Sequence, residues 1–376
     1  MTETPSATLK AKEERRIVRG HLWAYRNEFE NLPDLEDGAV LDVFAANRRF
    51  VGRGFFQAHG GIAVRLLSRR QEPVGADFFR SRIARARELR ERLYPGSSVY
   101  RWIFGESDGF PGLVVDRYEN LVVMQSDCHF YGQQRAVLEA LFQEEGLEHG
   151  SYVLPGGAGS WGEPDSVEDL EFEGLVVRYS VREGQKTGMF LDQRRNAQIA
   201  APLLTGLRVL DGHCHLGIWG MRAALMGAAE VTSVDTSERA IALARESAER
   251  NGLAEAIRHV CGPVEEALAC GDTYEAIILD PPAFAKSRRQ ETPALTRYQA
   301  LNRAAIEALE PGGFLVSCSC SHFVAPDTFL EMIKRAASAA GRNATLIELR
   351  GAAPDHPVLL AMPETRYLKC AILQLD

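Results

Sequence analysis

The sequence predicts an α/β protein: a doubly wound, mainly parallel sheet whose last strand runs antiparallel, preceded by an N-terminal β-rich module and a central α/β region. Three observations predict it. Apolar runs of strand length at 209–211, 231–234, 257–261, 274–279 and 314–317 alternate with helical stretches, as in a sheet covered on both faces. The tail breaks that alternation, because the runs at 344–349 and 367–375 follow one another with no helix between them. Residues 1–70 instead read as short strands around 40–44, 50–56 and 62–67, separated by Asp-Gly, Asn-Arg and Gly-Gly turns. The expected boundaries are 1–72, 73–183 and 184–376.

Taken in order, the N-terminal module interleaves Lys10, Lys12, Arg15, Arg16 and Arg19 with Trp23, Tyr25, Phe44, Phe50 and Phe55. That mixture suits phosphate contact and base stacking, and equally suits a small barrel with an aromatic core. From 77 to 93 a helix is expected, with Phe79, Ile83, Ala86, Leu89 and Leu93 on one stripe and six arginines, Arg90 among them, elsewhere. A hairpin about Glu119-Asn120 and a helix over 133–142 complete the central region. The stretch 184–195, GQKTGMFLDQRR, is dense in functional side chains and lies just ahead of the strand at 209, which marks it as a lip of the site.

Composition narrows the classes. The chain is 45% hydrophobic and 25% charged, ordinary for a globular protein. The N-terminus is polar and no apolar run approaches the roughly 18 residues of a membrane span, so a cytoplasmic protein without membrane partners is expected. Seven cysteines with no C-x-x-C pair indicate neither a disulfide framework nor a zinc ribbon, and no metal is expected. Net charge is −8, yet residues 1–100 carry 18 basic against 13 acidic residues. The basic surface, if there is one, lies at the N-terminal end.

Chemistry concentrates at three strand ends. Asp211 closes an apolar run, a loop through Gly217 opens a helix, and a second run ends in Asp235, where a carboxylate can accept from ribose hydroxyls. The glycines are not spaced for a pyrophosphate turn, and Asp211 would repel a diphosphate. An adenosine ligand with positive charge fits, and S-adenosyl-L-methionine is the expected cofactor. Next, Asp280-Pro281-Pro282-Ala283-Phe284 ends a buried run: a stiff loop whose Asp280 and Pro281 oxygens can accept from a base edge while Phe284 stacks on its face. Last, Ser317-Cys318-Ser319-Cys320 ends the following run, with both thiols on one face and Cys320 nearer the mouth. A pyrimidine carbon-5 is too weak a nucleophile to take a methyl group unaided, and a thiolate added at carbon-6 supplies the enamine it needs.

Together VLDGHCHLG, LDPPAFAKS, SCSCSH, GQKTGMFLDQR, GESDGFPGLVVDRY, GHLWAY and HPVLLAMPETRYLK resemble the bacterial 23S ribosomal RNA 5-methylcytosine methyltransferase family, which carries an N-terminal PUA domain. The resemblance spans nearly the whole chain. It implies a PUA-like RNA-binding domain, a central α/β domain and a class I methyltransferase domain acting on 23S ribosomal RNA or the ribosomal subunit, with a homodimer left open. Residue by residue, Cys320 matches the nucleophile and Asp280 the base-contacting acid, with Pro281, Phe284 and Lys286 beside the substrate. Asp211, His213, Gly217, Asp235, Thr236, Gln185 and Lys186 fall at donor-site motif positions. The chain departs from the family pattern at Gly212, His213, Leu216 and Ile218 of the first loop, and at Pro263, where an acid usually follows Gly262. An amino-group methyltransferase using Asp280-Pro281-Pro282 without Cys320, and a non-catalytic RNA-binding relative, are the alternatives.

Overall fold

The computed structural model describes residues 4–163, 168–180, 188–285 and 287–376. They divide into two compact units, one of residues up to 163 with 354–365, the other of 168–180, 188–353 and 366–376.

The first unit holds two sheets. Six short strands within Ser6–Ser68 form one, in which Val40–Phe44, Phe50–Phe56 and Ile62–Ser68 pair antiparallel as the turn signals indicate. Alternate residues Leu41, Val43, Phe56, Val64 and Leu66 join its core. Several of the basic and aromatic residues prove structural. The Arg65 guanidinium lies 5.1 Å from the Trp23 ring centroid, and both side chains donate to Glu106, while Arg53 pairs with Asp42 at 2.7 Å. Lys12, Arg15, Arg19, Arg48 and Arg49 stay exposed.

The second sheet, five strands within Val99–Trp161, packs under the helices Ala76–Leu93 and Arg135–Glu144. Here the helical stripe is corrected in one place. Leu89 is exposed, and the next residue, Arg90, is fully buried. Arg90 forms a two-point pair with Asp108 at 2.6 and 2.7 Å and donates to the carbonyls of Arg101 and Asp355, so every part of its fork is satisfied. Hydrophobic spacing cannot reveal such a partner 18 residues away.

The second unit is built on a seven-stranded sheet: β1 (Arg208–Gly212), β2 (Glu230–Asp235), β3 (Ile257–Cys261), β4 (Tyr274–Leu279), β5 (Leu309–Ser319), β6 (Ala344–Arg350) and β7 (Lys369–Leu375). Their spatial order is β3-β2-β1-β4-β5-β7-β6, and β7 alone runs against its neighbours, as expected from the tail. The order reverses between β1 and β4, so the C-terminal ends of β2, β1, β4 and β5 open onto one crevice, the ligand position of open α/β sheets. A hairpin, Glu168–Phe172 with Leu175–Tyr179, belongs to this unit. The Val176 N–H donates to Asn251 Oδ1 and the Arg178 N–H to Ser247 Oγ, both at the helix Glu238–Arg250 and its end. This hairpin precedes the expected boundary at 184. Its short alternating strands say nothing of which core they cover. Among the described residues no helix is long and apolar enough to cross a membrane.

Candidate active site

The first wall of the crevice is the loop after β1. Asp211 is fully buried, and its Oδ2 accepts the Gly220 N–H at 2.8 Å, capping the helix Ile218–Leu225 from the strand behind it. Gly220 must lack a side chain, since a Cβ there would stand 2.5 Å from Ser233 Oγ and 3.0 Å from Asp211 Oδ2. The loop is tightly wound: His213, His215 and Gly217 all take left-handed conformations, at φ 63°, 48° and 72°. Asp235, at the tip of β2, braces it by accepting from the His215 N–H at 3.0 Å and the Ser237 N–H at 2.9 Å. Thr236 follows, exposed.

Electrostatics give this wall its character. Burial, aided by the nearby carboxylates of Asp280 and Asp235, pushes the Asp211 carboxyl up to about 7. Burial also lowers His213 and His259, so both rings are neutral at physiological pH. Three buried polar atoms here lack any protein partner: Asp211 Oδ1, His213 Nε2 and His259 Nε2. Three carboxylates converging on one crevice, with unspent hydrogen-bonding atoms between them, fit a ligand that brings positive charge and polar edges.

The second wall is the loop after β4. Asp280 is held by two neutral donors, Gln193 Nε2 at 3.0 Å and Trp219 Nε1 at 3.4 Å. Pro281 is buried. Phe284 differs from the expectation of an open stacking platform. Its ring already lies 4.1 Å under the Arg297 guanidinium and 4.5 Å from the Tyr298 ring, half-buried against the core. It therefore lines the wall, and a base would have to displace Arg297 to stack on the face that Arg297 covers.

The third wall is the end of β5. Cys318 is fully buried opposite Cys370 of β7, and burial pushes its thiol well up, so it is neither nucleophile nor base. Cys320 lies past the strand end and is half-buried, with its Sγ 3.9 Å from the Pro281 carbonyl oxygen. Ser321 ties the walls together, accepting from the Ala285 N–H at 3.2 Å and meeting Tyr298 Oη at 3.0 Å. Gln185, Lys186 and Lys286 lie outside the described residues. The structure thus gathers Asp211, His213, Gly217 and Asp235 on one side, and Asp280, Pro281, Phe284 and Cys320 on the other.

Comparison with known proteins agrees with this arrangement. A model described as an S-adenosylmethionine-dependent methyltransferase matches residues 145–358, more than half of the chain. The chain belongs to that family. A PUA-like domain model matches residues 7–69. Two relatives, both called ribosomal RNA large subunit methyltransferase I, are similar over almost their whole length. The one from Aeromonas hydrophila is 34% identical over 391 residues, 96% of this chain and 97% of the relative. The one from Pseudoalteromonas atlantica is 35% identical, covering 98% of each. Among solved structures, a protein of Streptococcus mutans assigned to the SAM-dependent methyltransferases superposes with a TM-score of 0.87 at 21% identity, over 99% of this chain and 100% of that one. A second methyltransferase structure, in complex with SAH, gives 0.88 at 20% identity, with the same coverage. At such identities these two speak for the fold.

In this methyltransferase the cofactor is S-adenosylmethionine, and the unspent atoms of the β1 wall suit it. Four further residues belong to the site that sequence reading gave no role: Gln193 and Trp219, which fix Asp280; Tyr298, on Ser321; and Lys369, whose Nζ donates to the Ser321 carbonyl. Gln193 lies in the dense 184–195 stretch, and Phe190 of that stretch packs its ring 4.7 Å from His215. The signal for Trp219 was a polar-tipped aromatic at the second position of a helix facing the crevice. For Lys369 it was a lone basic residue inside an apolar strand.

Proposed function

We propose that the chain methylates carbon-5 of a cytosine in 23S ribosomal RNA through a transient bond between Cys320 and carbon-6. The observation that carries this reading is the place of Cys320, a half-buried thiol 3.9 Å from the Pro281 carbonyl at the mouth of the crevice, beside the loop that presents Asp280. A pocket that only methylated an amino group would need the acceptors and would have no use for the thiol. The relatives' name supplies the RNA.

Asp211, His213, Gly217, Asp235 and Thr236 hold the methyl donor in this reading, with Gln185 and Lys186 beside it. Bound S-adenosylmethionine supplies an electrophilic methyl group on a sulfonium. The chain does the rest. The exposed basic residues of the PUA-like domain contact phosphates, and the target cytosine is unstacked at a cost of a few kcal/mol. Asp280, fixed by Gln193 and Trp219, accepts from the exocyclic amine; Pro281 and Phe284 wall the base, with Lys286 close by. Cys320 adds to carbon-6 and raises electron density at carbon-5. Once carbon-5 has taken the methyl group and lost its proton, the carbon–sulfur bond breaks and the thiolate returns.

The test is transfer of labelled methyl to unmodified 23S ribosomal RNA and to large subunits, followed by nucleoside mass spectrometry. Label in 5-methylcytidine that disappears with Cys320→Ala is the expected result. Label in an amino-methylated nucleoside, retained by Cys320→Ala, would replace this reading with the amino-group one.

A further inference from the structure

One buried cation of the second unit has no carboxylate to balance it. Lys369 stands on β7 opposite Ser319 of β5, with 2% of its surface exposed. Its Nζ donates to two neutral carbonyls, Ser321 O at 2.6 Å and Tyr367 O at 2.8 Å. An ammonium has three N–H donors, so one remains. Burying such a charge unpaired costs several kcal/mol, whereas a methionine of the same length would pack there without that cost. The residue between its cross-strand partner Ser319 and its acceptor Ser321 is Cys320.

We infer that Lys369 is the positioning residue of the nucleophile: its ammonium, pinned to the turn by the Ser321 and Tyr367 carbonyls, is the counter-ion that keeps the Cys320 sulfur as a thiolate. The inference rests on the reading of Cys320 given above. In the addition step the thiolate electron pair forms the bond to carbon-6 while the carbon-5–carbon-6 π pair moves to carbon-5. No proton has to leave sulfur in that step, and the pair returns to sulfur on release.

The surroundings agree. Burial lowers Lys369 to about 8, and the Cys320 thiolate acts in the opposite sense, holding the proton on nitrogen; the attraction is mutual and favours loss of the thiol proton. The other titratable groups offer no substitute. Tyr298 is raised by burial and stays neutral, as does Cys318, and Cys370 lies buried beside it. Asp280, one residue from the Pro281 carbonyl that meets Sγ, is an acid and opposes a thiolate. His322 is exposed and stacked on Tyr367 at 5.1 Å.

The experiment is alkylation of the full chain by iodoacetamide across pH 5–10, with Cys320 followed by peptide mass spectrometry. It compares the folded chain, the same chain unfolded in urea, and Lys369→Met. An unfolded thiol titrates near 8.5. The folded profile is expected at least about one pH unit lower, and Lys369→Met is expected to bring it back, slowing modification about tenfold at pH 6.5. A folded profile at or above the unfolded one, a thiol unreactive throughout, or a Lys369→Met profile that superimposes on the unmutated chain overturns the inference. If Lys369→Met does not fold, the folded-against-unfolded comparison decides alone. Alkylation needs no RNA, so a lowered profile in a chain that forms no 5-methylcytidine would keep the Lys369–Cys320 pair and refute the proposed reaction.

Discussion

Asp211→Asn separates the stability of the donor wall from its function. Asp211 is fully buried, and its carboxyl is raised to about 7, first by burial and then by the Asp280 and Asp235 charges. In the unfolded chain it returns to about 3.9. Between these values the folded chain holds a proton that the unfolded chain does not, so this group's contribution to stability falls as pH rises from about 4 to about 7, and the loss is complete above 7. About three pKa units at ~1.4 kcal/mol each make that loss roughly 4 kcal/mol, as an upper bound. Asparagine keeps an oxygen for the Gly220 N–H, and its amide can reach Ser233 Oγ, which pairs across the strands and has no partner of its own. An imperfect bond for that amide offsets ~1–2 kcal/mol. Donor-free Asp211→Asn is therefore expected to exceed the unmutated chain by about 2 kcal/mol at pH 8 and to lose its advantage by pH 5. Calorimetric scans at pH 5, 6, 7 and 8 read this as an unfolding midpoint that depends less on pH in the variant. S-adenosylmethionine affinity, titrated at pH 8, is expected to fall at least about tenfold, because the buried negative charge facing a cationic ligand is gone. A variant with the same pH slope as the unmutated chain, or with unchanged donor affinity, would refute the reasoning.

Three further outcomes follow from the geometry. Cys318→Ala should keep methyl transfer within about threefold and cost about 1 kcal/mol, since it empties a buried site facing Cys370, outside the reacting group; activity assays beside Cys320→Ala check it. Gly220→Ala should destabilise by ~1–3 kcal/mol and weaken donor binding, because its Cβ has no room between Ser233 Oγ and Asp211; thermal unfolding and calorimetric titration read both. Asp108→Ala should cost ~3–5 kcal/mol by stranding the buried Arg90 charge, visible as early unfolding of the first unit under limited proteolysis.

The sheet was readable because each of its strands is an apolar run closed by a polar or glycine-bearing loop, and because the missing helix before the last run forces an antiparallel return. The same logic located Asp211, Asp235, Asp280 and Cys320, all at strand ends where a parallel sheet opens. What the sequence hid are partnerships across distance. Arg90 reads as one more surface arginine until Asp108 closes on it. Phe284 reads as a free aromatic until Arg297, 13 residues on, covers its ring. Lys369 reads as a solvated end of β7, although the turn after β5 seals it from water. Periodicity reports which face of an element is apolar; it carries no information on which polar group crosses from another element to meet it. Cys318 and Cys320 show the limit most closely. Two residues apart, they share a face in any strand, and only the end of β5 at Ser319 makes one a core thiol and the other a site thiol.

The most direct test of the central claim is capture of the covalent step. A 23S ribosomal RNA transcript carrying 5-fluorocytidine, incubated with the chain and S-adenosylmethionine, offers a carbon-5 whose fluorine cannot leave as a proton, so an adduct that forms cannot resolve. The account predicts a protein–RNA species that survives a denaturing gel with the unmutated chain and with Cys318→Ala, is absent with Cys320→Ala, and maps to Cys320 by peptide mass spectrometry. No such species from a chain that methylates ordinary transcript, or a bond at another residue, would contradict it.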